Sequence, residues 1–131
     1  MNIKETLEYE IPEGWWHAFG EQMCKEIQDE IDTWSEEEIK DFYITAKEKY
    51  GELRIYCVVG NDTLDAIFDK YEKLSTHTCI QCGRPASWMT KGWIVPYCNE
   101  CAAEEFNIRQ KMRPNDWIEW FDMFTVIKRE D

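Results

Sequence analysis

A chain of 131 residues with 44% hydrophobic and 15% aromatic residues has enough apolar side chains to fold, which excludes an intrinsically disordered polypeptide. It has no run of 18 apolar residues and no signal-peptide pattern at its N-terminus, so we expect a cytoplasmic protein without a membrane span. The formal net charge is −12, and residues 1–75 carry most of it, with 8 Lys and Arg against 19 Asp and Glu. Such a surface repels phosphate backbones and favours basic partners.

The first predicted elements are helical. The Ile-Pro-Glu-Gly segment at 11–14 contains the two residue types that most strongly favour a turn. Apolar residues then recur every three or four positions over 16–34, which predicts a long amphipathic helix. Ser35 and Glu38 follow in the spacing of a capping box, so a short second helix is expected to begin there.

The hydrophobic period changes to two after this acidic segment. Apolar and polar residues alternate over 42–46 and form a β-branched, apolar run over 53–59, with Gly51 between them, which predicts a β-hairpin. Asn61 is a good N-cap, and the apolar stripe over 64–74 predicts a further helix.

Two Cys-x-x-Cys pairs follow, separated by fifteen residues: Cys79 with Cys82, and Cys98 with Cys101. Four soft thiolates suit tetrahedral Zn²⁺, and because all four ligands come from protein, the predicted site is closed and structural, with one ion. A redox dithiol of the thioredoxin type would need a βαβ unit, for which the sequence shows no pattern. Gly83 can adopt the left-handed conformation of a knuckle after the first pair.

The segments around these cysteines predict how the module is built. The insert between the two pairs is long enough for a short hairpin with residues 93–95 as its returning strand, and residues after Cys101 are compatible with a helix. This order predicts a treble-clef-like module, with a ribbon-like zinc module as the alternative. Apolar residues over 117–127 at helical spacing predict a C-terminal helix.

The predicted fold class is therefore α+β. It has two parts, an acidic helix–hairpin–helix part at 1–75 and the zinc module with its C-terminal helix at 76–131, packed as one domain. Cys24 and Cys57 lie outside the cysteine pairs and are interpreted as small buried hydrophobic residues.

Four segments carry a resemblance over most of the chain. They are Ile-Pro-Glu-Gly-Trp-Trp at 11–16, Lys-Glu-Lys-Tyr-Gly-Glu-Leu-Arg-Ile-Tyr at 47–56, Thr-Cys-Ile-Gln-Cys-Gly-Arg-Pro-Ala at 78–86 and Gly-Trp-Ile-Val-Pro-Tyr-Cys-Asn-Glu-Cys at 92–101. Together they resemble an uncharacterised family of small phage and prophage proteins. The resemblance implies a phage gene expressed in an infected or lysogenic bacterium and a zinc module, and it implies no mechanism.

The functional prediction is a binding protein. No phosphate-binding glycine loop, nucleophile with its base, or open metal site is evident, so an enzyme is not expected. A dense acidic stretch can mimic phosphates or dock on a basic surface. The favoured hypothesis is a non-enzymatic phage-type protein that binds and inhibits a basic host or defence protein. Its candidate partner-binding residues are Glu30, Glu36, Glu37, Glu38 and Asp41.

The alternative hypothesis is a zinc protein that binds nucleic acid as a regulator. Its candidate surface is residues 84–113, where basic and aromatic residues alternate in the zinc hairpin and further basic residues follow. The acidic residues 1–75 argue against it unless the basic residues form a separate face. An ordinary solvated helix face accounts equally well for the acidic stretch taken alone.

Overall fold

The computed structural model describes residues 1–128 and shows a mixed helix and sheet fold, which confirms the predicted α+β class. Within these residues no helix is long and apolar enough to cross a bilayer. The elements in chain order are α1 (Ile3–Leu7), α2 (Glu13–Trp15), a π-helical turn (Trp16–Gly20), α3 (Glu21–Ile31), α4 (Glu36–Ile39), β1 (Tyr43–Lys49), β2 (Glu52–Val58), α5 (Asp62–Ser75), β3 (Trp88–Thr90), β4 (Pro96–Tyr97), α6 (Asn99–Met112), α7 (Trp120–Met123) and β5 (Phe124–Val126).

The predicted long helix corresponds to α2, the π-helical turn and α3, which follow one another without a break. It ends at Ile31, before Trp34, which lies against Phe42 with the ring centres 5.4 Å apart. The π turn coincides with a close contact, because a Cβ on Gly20 would lie 2.2 Å from the Trp16 ring. No sequence pattern predicts α1, which follows the N-cap Asn2, packs on α3 and buries two apolar side chains.

The predicted hairpin is β1 and β2, paired antiparallel with Lys49 opposite Glu52. The two residues of the turn, Tyr50 and Gly51, both have positive φ, at 54° and 77°. A two-residue turn of this kind matches the right-handed twist of the strands. The predicted helix after the hairpin is α5, which Asn61 caps by accepting the Leu64 N–H at 2.9 Å.

Side chains satisfy backbone groups along both outer edges of this two-stranded sheet. On the β1 edge, the Ala46 N–H donates to the carboxylate of Glu10 at 3.0 Å. On the β2 edge, Leu53 donates to Ser75 at 2.9 Å and Ile55 donates to Glu72 at 2.8 Å. Side-chain acceptors at these positions leave fewer N–H groups free to pair with another strand.

The predicted C-terminal helix over 117–127 is reduced to one turn, α7. The chain then extends as β5 and pairs antiparallel with β3, Trp88 opposite Val126, to give the strand order β4-β3-β5. The aromatic residues of this segment pack in an aromatic cluster instead of along one helix face. In this cluster the Trp120 ring centre lies 4.4 Å from that of Phe124 and 5.2 Å from that of Trp88. The returning strand of the hairpin between the two cysteine pairs is β4, later than the predicted 93–95, which precede it.

Candidate metal centre

The first cysteine pair lies in a tight knuckle. The Cys79 N–H donates to the Arg84 carbonyl at 2.7 Å, and the Gly83 N–H returns to the Cys79 carbonyl at 3.0 Å. Gly83 has φ +87°, the left-handed conformation expected of it. The knuckle therefore folds the chain back within a few residues and holds Cys82 close to Cys79.

The second pair lies at the start of α6, as predicted. Cys98 is the N-cap, and its Sγ accepts the Cys101 N–H at 3.4 Å. The N-terminus of α6 therefore lies at the four-cysteine group. The order knuckle, short hairpin, helix is the treble-clef-like arrangement of the sequence analysis.

The four sulfurs converge on one point. Their Sγ atoms all lie within 4.8 Å of one another, and Cys82 and Cys98 are 3.6 Å apart, close to the separation of about 3.8 Å that tetrahedral Zn–S bonds of 2.3 Å require. Cys82 is half-buried and the other three are buried. Burial tends to raise the pKa of Cys79, but backbone N–H groups that donate to its sulfur outweigh burial and lower that pKa. The chemistry and spacing of these donors fit a metal ion.

Helix α2, the start of the long N-terminal helix, packs directly on the knuckle of the first cysteine pair. The Gly14 N–H donates to the Ile80 carbonyl at 2.8 Å, and the buried Trp15 indole N–H donates to the Thr78 carbonyl at 2.9 Å. A Cβ on Gly14 would lie 2.4 Å from the Cys79 carbonyl oxygen, so only glycine permits this approach. The sequence predicts a turn at Gly14 and gives no sign of this contact, although segments 11–16 and 78–86 are the ones that meet here.

The acidic candidates lie in different surroundings. Glu36, Glu37 and Glu38 occupy the first turn of α4 and are exposed, and Asp41 is exposed just beyond that helix. Glu30, by contrast, is half-buried at the end of α3 and accepts an N–H from the Asn61 side chain at 3.2 Å.

Two of the α4 carboxylates also have partners within the protein. Glu38 completes a capping box with Ser35, whose backbone and side-chain hydrogen bonds lower the Glu38 pKa. Glu37 forms an exposed ion pair with Lys40 at 3.3 Å. The capping box fixes the direction of the helix start, and the exposed ion pair contributes little to stability.

The basic and aromatic residues of the hairpin between the two cysteine pairs mostly have partners inside the protein. Arg84 pairs with Glu100, and the Lys91 ammonium donates to the Phe121 carbonyl. Trp88 belongs to the aromatic cluster described above, whereas Trp93 is 79% exposed. The further basic residues of α6 and its end, Arg109, Lys111 and Arg113, are exposed and form no ion pair within residues 1–128.

The two cysteines outside the pairs lie apart from the metal-ligating group. Cys24 is buried in the main core with the apolar face of α3, and Cys57 is half-buried beside that core. Burial raises the pKa of Cys24 to about 11, so it is a protonated thiol at neutral pH.

Comparison of the chain with family models, curated proteins and solved structures finds no significant match.

Proposed function

We propose that this protein is a non-enzymatic, zinc-stabilised phage-type protein that binds and inhibits a basic host or defence protein in the bacterial cytoplasm. One structural Zn²⁺ would be held by Cys79, Cys82, Cys98 and Cys101. When bound, the ion supplies cross-linking of the knuckle to α6 rather than chemistry on a substrate, because all four of its positions are taken by protein.

The observation that carries this proposal is the exposed carboxylate turn, by which we mean Glu36, Glu37, Glu38 and Asp41. These four carboxylates fall within six residues, and Lys40 is the one basic residue among them. Its ion pair with Glu37 neutralises one charge and leaves a local excess of negative charge. Such an excess steers a basic surface toward this turn and raises the association rate, especially at low salt. Glu30 contributes less to the proposed surface because it is held by Asn61.

Neutralising the carboxylate turn is expected to reduce partner capture sharply. The variant Glu36→Gln, Glu37→Gln, Glu38→Gln and Asp41→Asn keeps each side-chain shape, and glutamine at position 38 keeps the capping box. Affinity capture from bacterial lysate, followed by kinetics on the identified partner, should show association slowed about tenfold or more at low ionic strength.

The matched control removes the same number of exposed carboxylates elsewhere, in Glu5→Gln, Glu104→Gln, Asp116→Asn and Asp122→Asn. Capture should survive in this control and weaken with added salt in the unmodified protein. If both variants lose partner capture equally, the effect comes from net charge rather than from the carboxylate turn. If both retain capture equally, the interface lies elsewhere.

The second candidate function, nucleic-acid binding, is favoured by the exposed cations Arg109, Lys111 and Arg113, which form no ion pair within residues 1–128, and by Trp117, which follows them in the chain and is exposed. A gel-shift assay at two salt concentrations separates the candidates. We expect negligible affinity for duplex or single strands near physiological salt. Tight binding with a steep salt dependence that is lost on neutralising these three cations would instead support this alternative.

A further inference from the structure

A cleft of about 390 Å³ lies where the tip of the β1–β2 hairpin meets the turn of the zinc hairpin. Nothing in the proposed function uses it, since the residues of the carboxylate turn lie on α4 and just beyond its end. The residues that line the cleft are Glu48, Lys49, Tyr50, Gly92, Trp93 and Ile94.

The two walls of the cleft approach each other closely at the backbone. A Cβ on Gly51 would lie 2.9 Å from the Ile94 carbonyl oxygen, so the hairpin tip touches the main chain of the zinc turn. In that turn, the Thr90 side chain donates to the Trp93 carbonyl and accepts the Val95 N–H at 2.8 Å. The cleft is thus built from two short, well-bonded turns rather than from loose loops.

Tyr50 is an unusual residue for its position. At φ 54° it occupies the left-handed region, where glycine or asparagine is ordinarily found in such a turn and a bulky side chain is disfavoured. Its side chain is 78% exposed, so packing inside the protein does not compensate for that conformation. Trp93, on the opposite wall, is 79% exposed. Strained residues of this kind are a feature of binding sites.

Glu48 gives the cleft one hydrogen-bond acceptor for a cationic group. Glu48 uses one carboxylate oxygen to accept the Gly51 N–H at 3.0 Å, and within residues 1–128 its second oxygen has no hydrogen-bond partner. Lys49 also lines the cleft, and its ammonium lies 5.6 Å from the centre of the Tyr56 ring, an aromatic partner outside the lining residues. The cleft therefore combines two exposed aromatic side chains with an available carboxylate oxygen.

We propose that this cleft binds an arginine side chain of a partner protein. A guanidinium stacks on aromatic rings and donates hydrogen bonds to a carboxylate at the same time, which matches Tyr50, Trp93 and Glu48. This inference rests on the proposed function, because a basic partner surface supplies the arginine. The carboxylate turn would then steer the partner, and the cleft would hold one of its side chains.

The test uses a blocked tripeptide, acetyl-Gly-Arg-Gly-amide, followed by ¹H–¹⁵N NMR on the full chain. The Trp93 indole N–H and Gly51 amide signals should shift as the peptide is added, and the shifts should saturate at millimolar peptide. The citrulline peptide, which has the same shape without the charge, should bind about two- to fivefold more weakly. Equal shifts with citrulline, or shifts centred outside the cleft, would overturn the proposal. A short oligothymidylate that binds the cleft more tightly than the arginine peptide would also overturn it.

Variants separate recognition from folding. Tyr50→Asn should abolish the arginine-dependent shifts and raise the thermal midpoint by about 2–5 °C, because asparagine tolerates the left-handed conformation. Glu48→Gln keeps an acceptor for Gly51 and should weaken the peptide several-fold. The control Trp117→Ala removes a tryptophan that is 82% exposed outside the cleft and should change nothing. Retained peptide binding in the Tyr50 variant would contradict the assignment.

The two proposals can fail separately. The carboxylate-turn variant should bind the tripeptide normally, because its changes lie outside the cleft. If the peptide does not bind while neutralising the turn still abolishes partner capture, the cleft proposal fails alone. If the peptide binds in the cleft but the turn variant captures its partner normally, the acidic-surface proposal fails alone.

Discussion

Replacing Cys98 with serine is expected to remove the bound zinc and to unfold the C-terminal module. The serine hydroxyl is a far poorer zinc ligand than a thiolate, and structural zinc binding contributes about 10–16 kcal/mol in zinc-finger peptides. Cys98 also caps α6, but serine is itself a good N-cap, so the helix start is preserved and the loss reports on the metal. Elemental analysis and thermal unfolding followed by circular dichroism measure both effects.

Cys57→Ser is the matched control, because Cys57 is half-buried beside the main core and lies outside the four-sulfur group. It should keep one zinc per chain and lose at most about 1–2 kcal/mol of stability. A strong chelator should reproduce the effect of the Cys98 variant in the unmodified protein. Full zinc content in Cys98→Ser, or an unchanged thermal midpoint, would contradict the four-cysteine structural site.

Local chemistry made several elements predictable. The two Cys-x-x-Cys pairs predict a single four-sulfur site, and their Sγ atoms do converge. Gly51 marked the hairpin because the turn needs positive φ, and Asn61 marked the start of α5 because its side chain accepts an early helix N–H. In each case the determining residues lie within a few positions of the element they specify.

The misses depend on contacts between distant parts of the chain. Residues 124–126 pair with β3, so a segment whose spacing is helical becomes a strand once Phe124 is buried in the aromatic cluster. The candidate Glu30 stays a prediction, but its surroundings also depend on a distant residue, because the Asn61 side chain donates to its carboxylate. Periodicity over a short window cannot register such partners, and tertiary packing overrides it.

The contact of Gly14 with the first cysteine knuckle also joins distant parts of the chain, and it affects the metal-ligating group. Through Gly14 and Trp15 the N-terminal helix contacts Ile80 and Thr78, the residues on either side of Cys79. The position of that cysteine in space therefore depends on a helix that belongs to the acidic part of the chain. Metal binding and folding of the N-terminal helix are expected to be coupled, each stabilising the other.

Gly14→Ala is expected to weaken both the fold and the metal site. The new Cβ would lie 2.4 Å from the Cys79 carbonyl oxygen and 2.5 Å from Ile80 backbone atoms, so the helix must move away from the knuckle. Overpacking together with loss of the Gly14–Ile80 hydrogen bond should cost about 2–4 kcal/mol. Urea unfolding measures that cost, and competition with a chromophoric chelator measures the expected fall in zinc affinity.

The neighbouring change Glu13→Ala is the control, because Glu13 is an exposed residue one position earlier in the same helix. It alters the same turn without entering the contact, so its cost should stay near 0.5 kcal/mol with zinc affinity unchanged. Alanine has the higher helix propensity, so a helix independent of the knuckle would be stabilised by Gly14→Ala. The sign of the change in the free energy of unfolding therefore tests the coupling. Destabilisation with weaker zinc binding supports coupling between the helix and the metal site. Stabilisation with unchanged zinc binding refutes it.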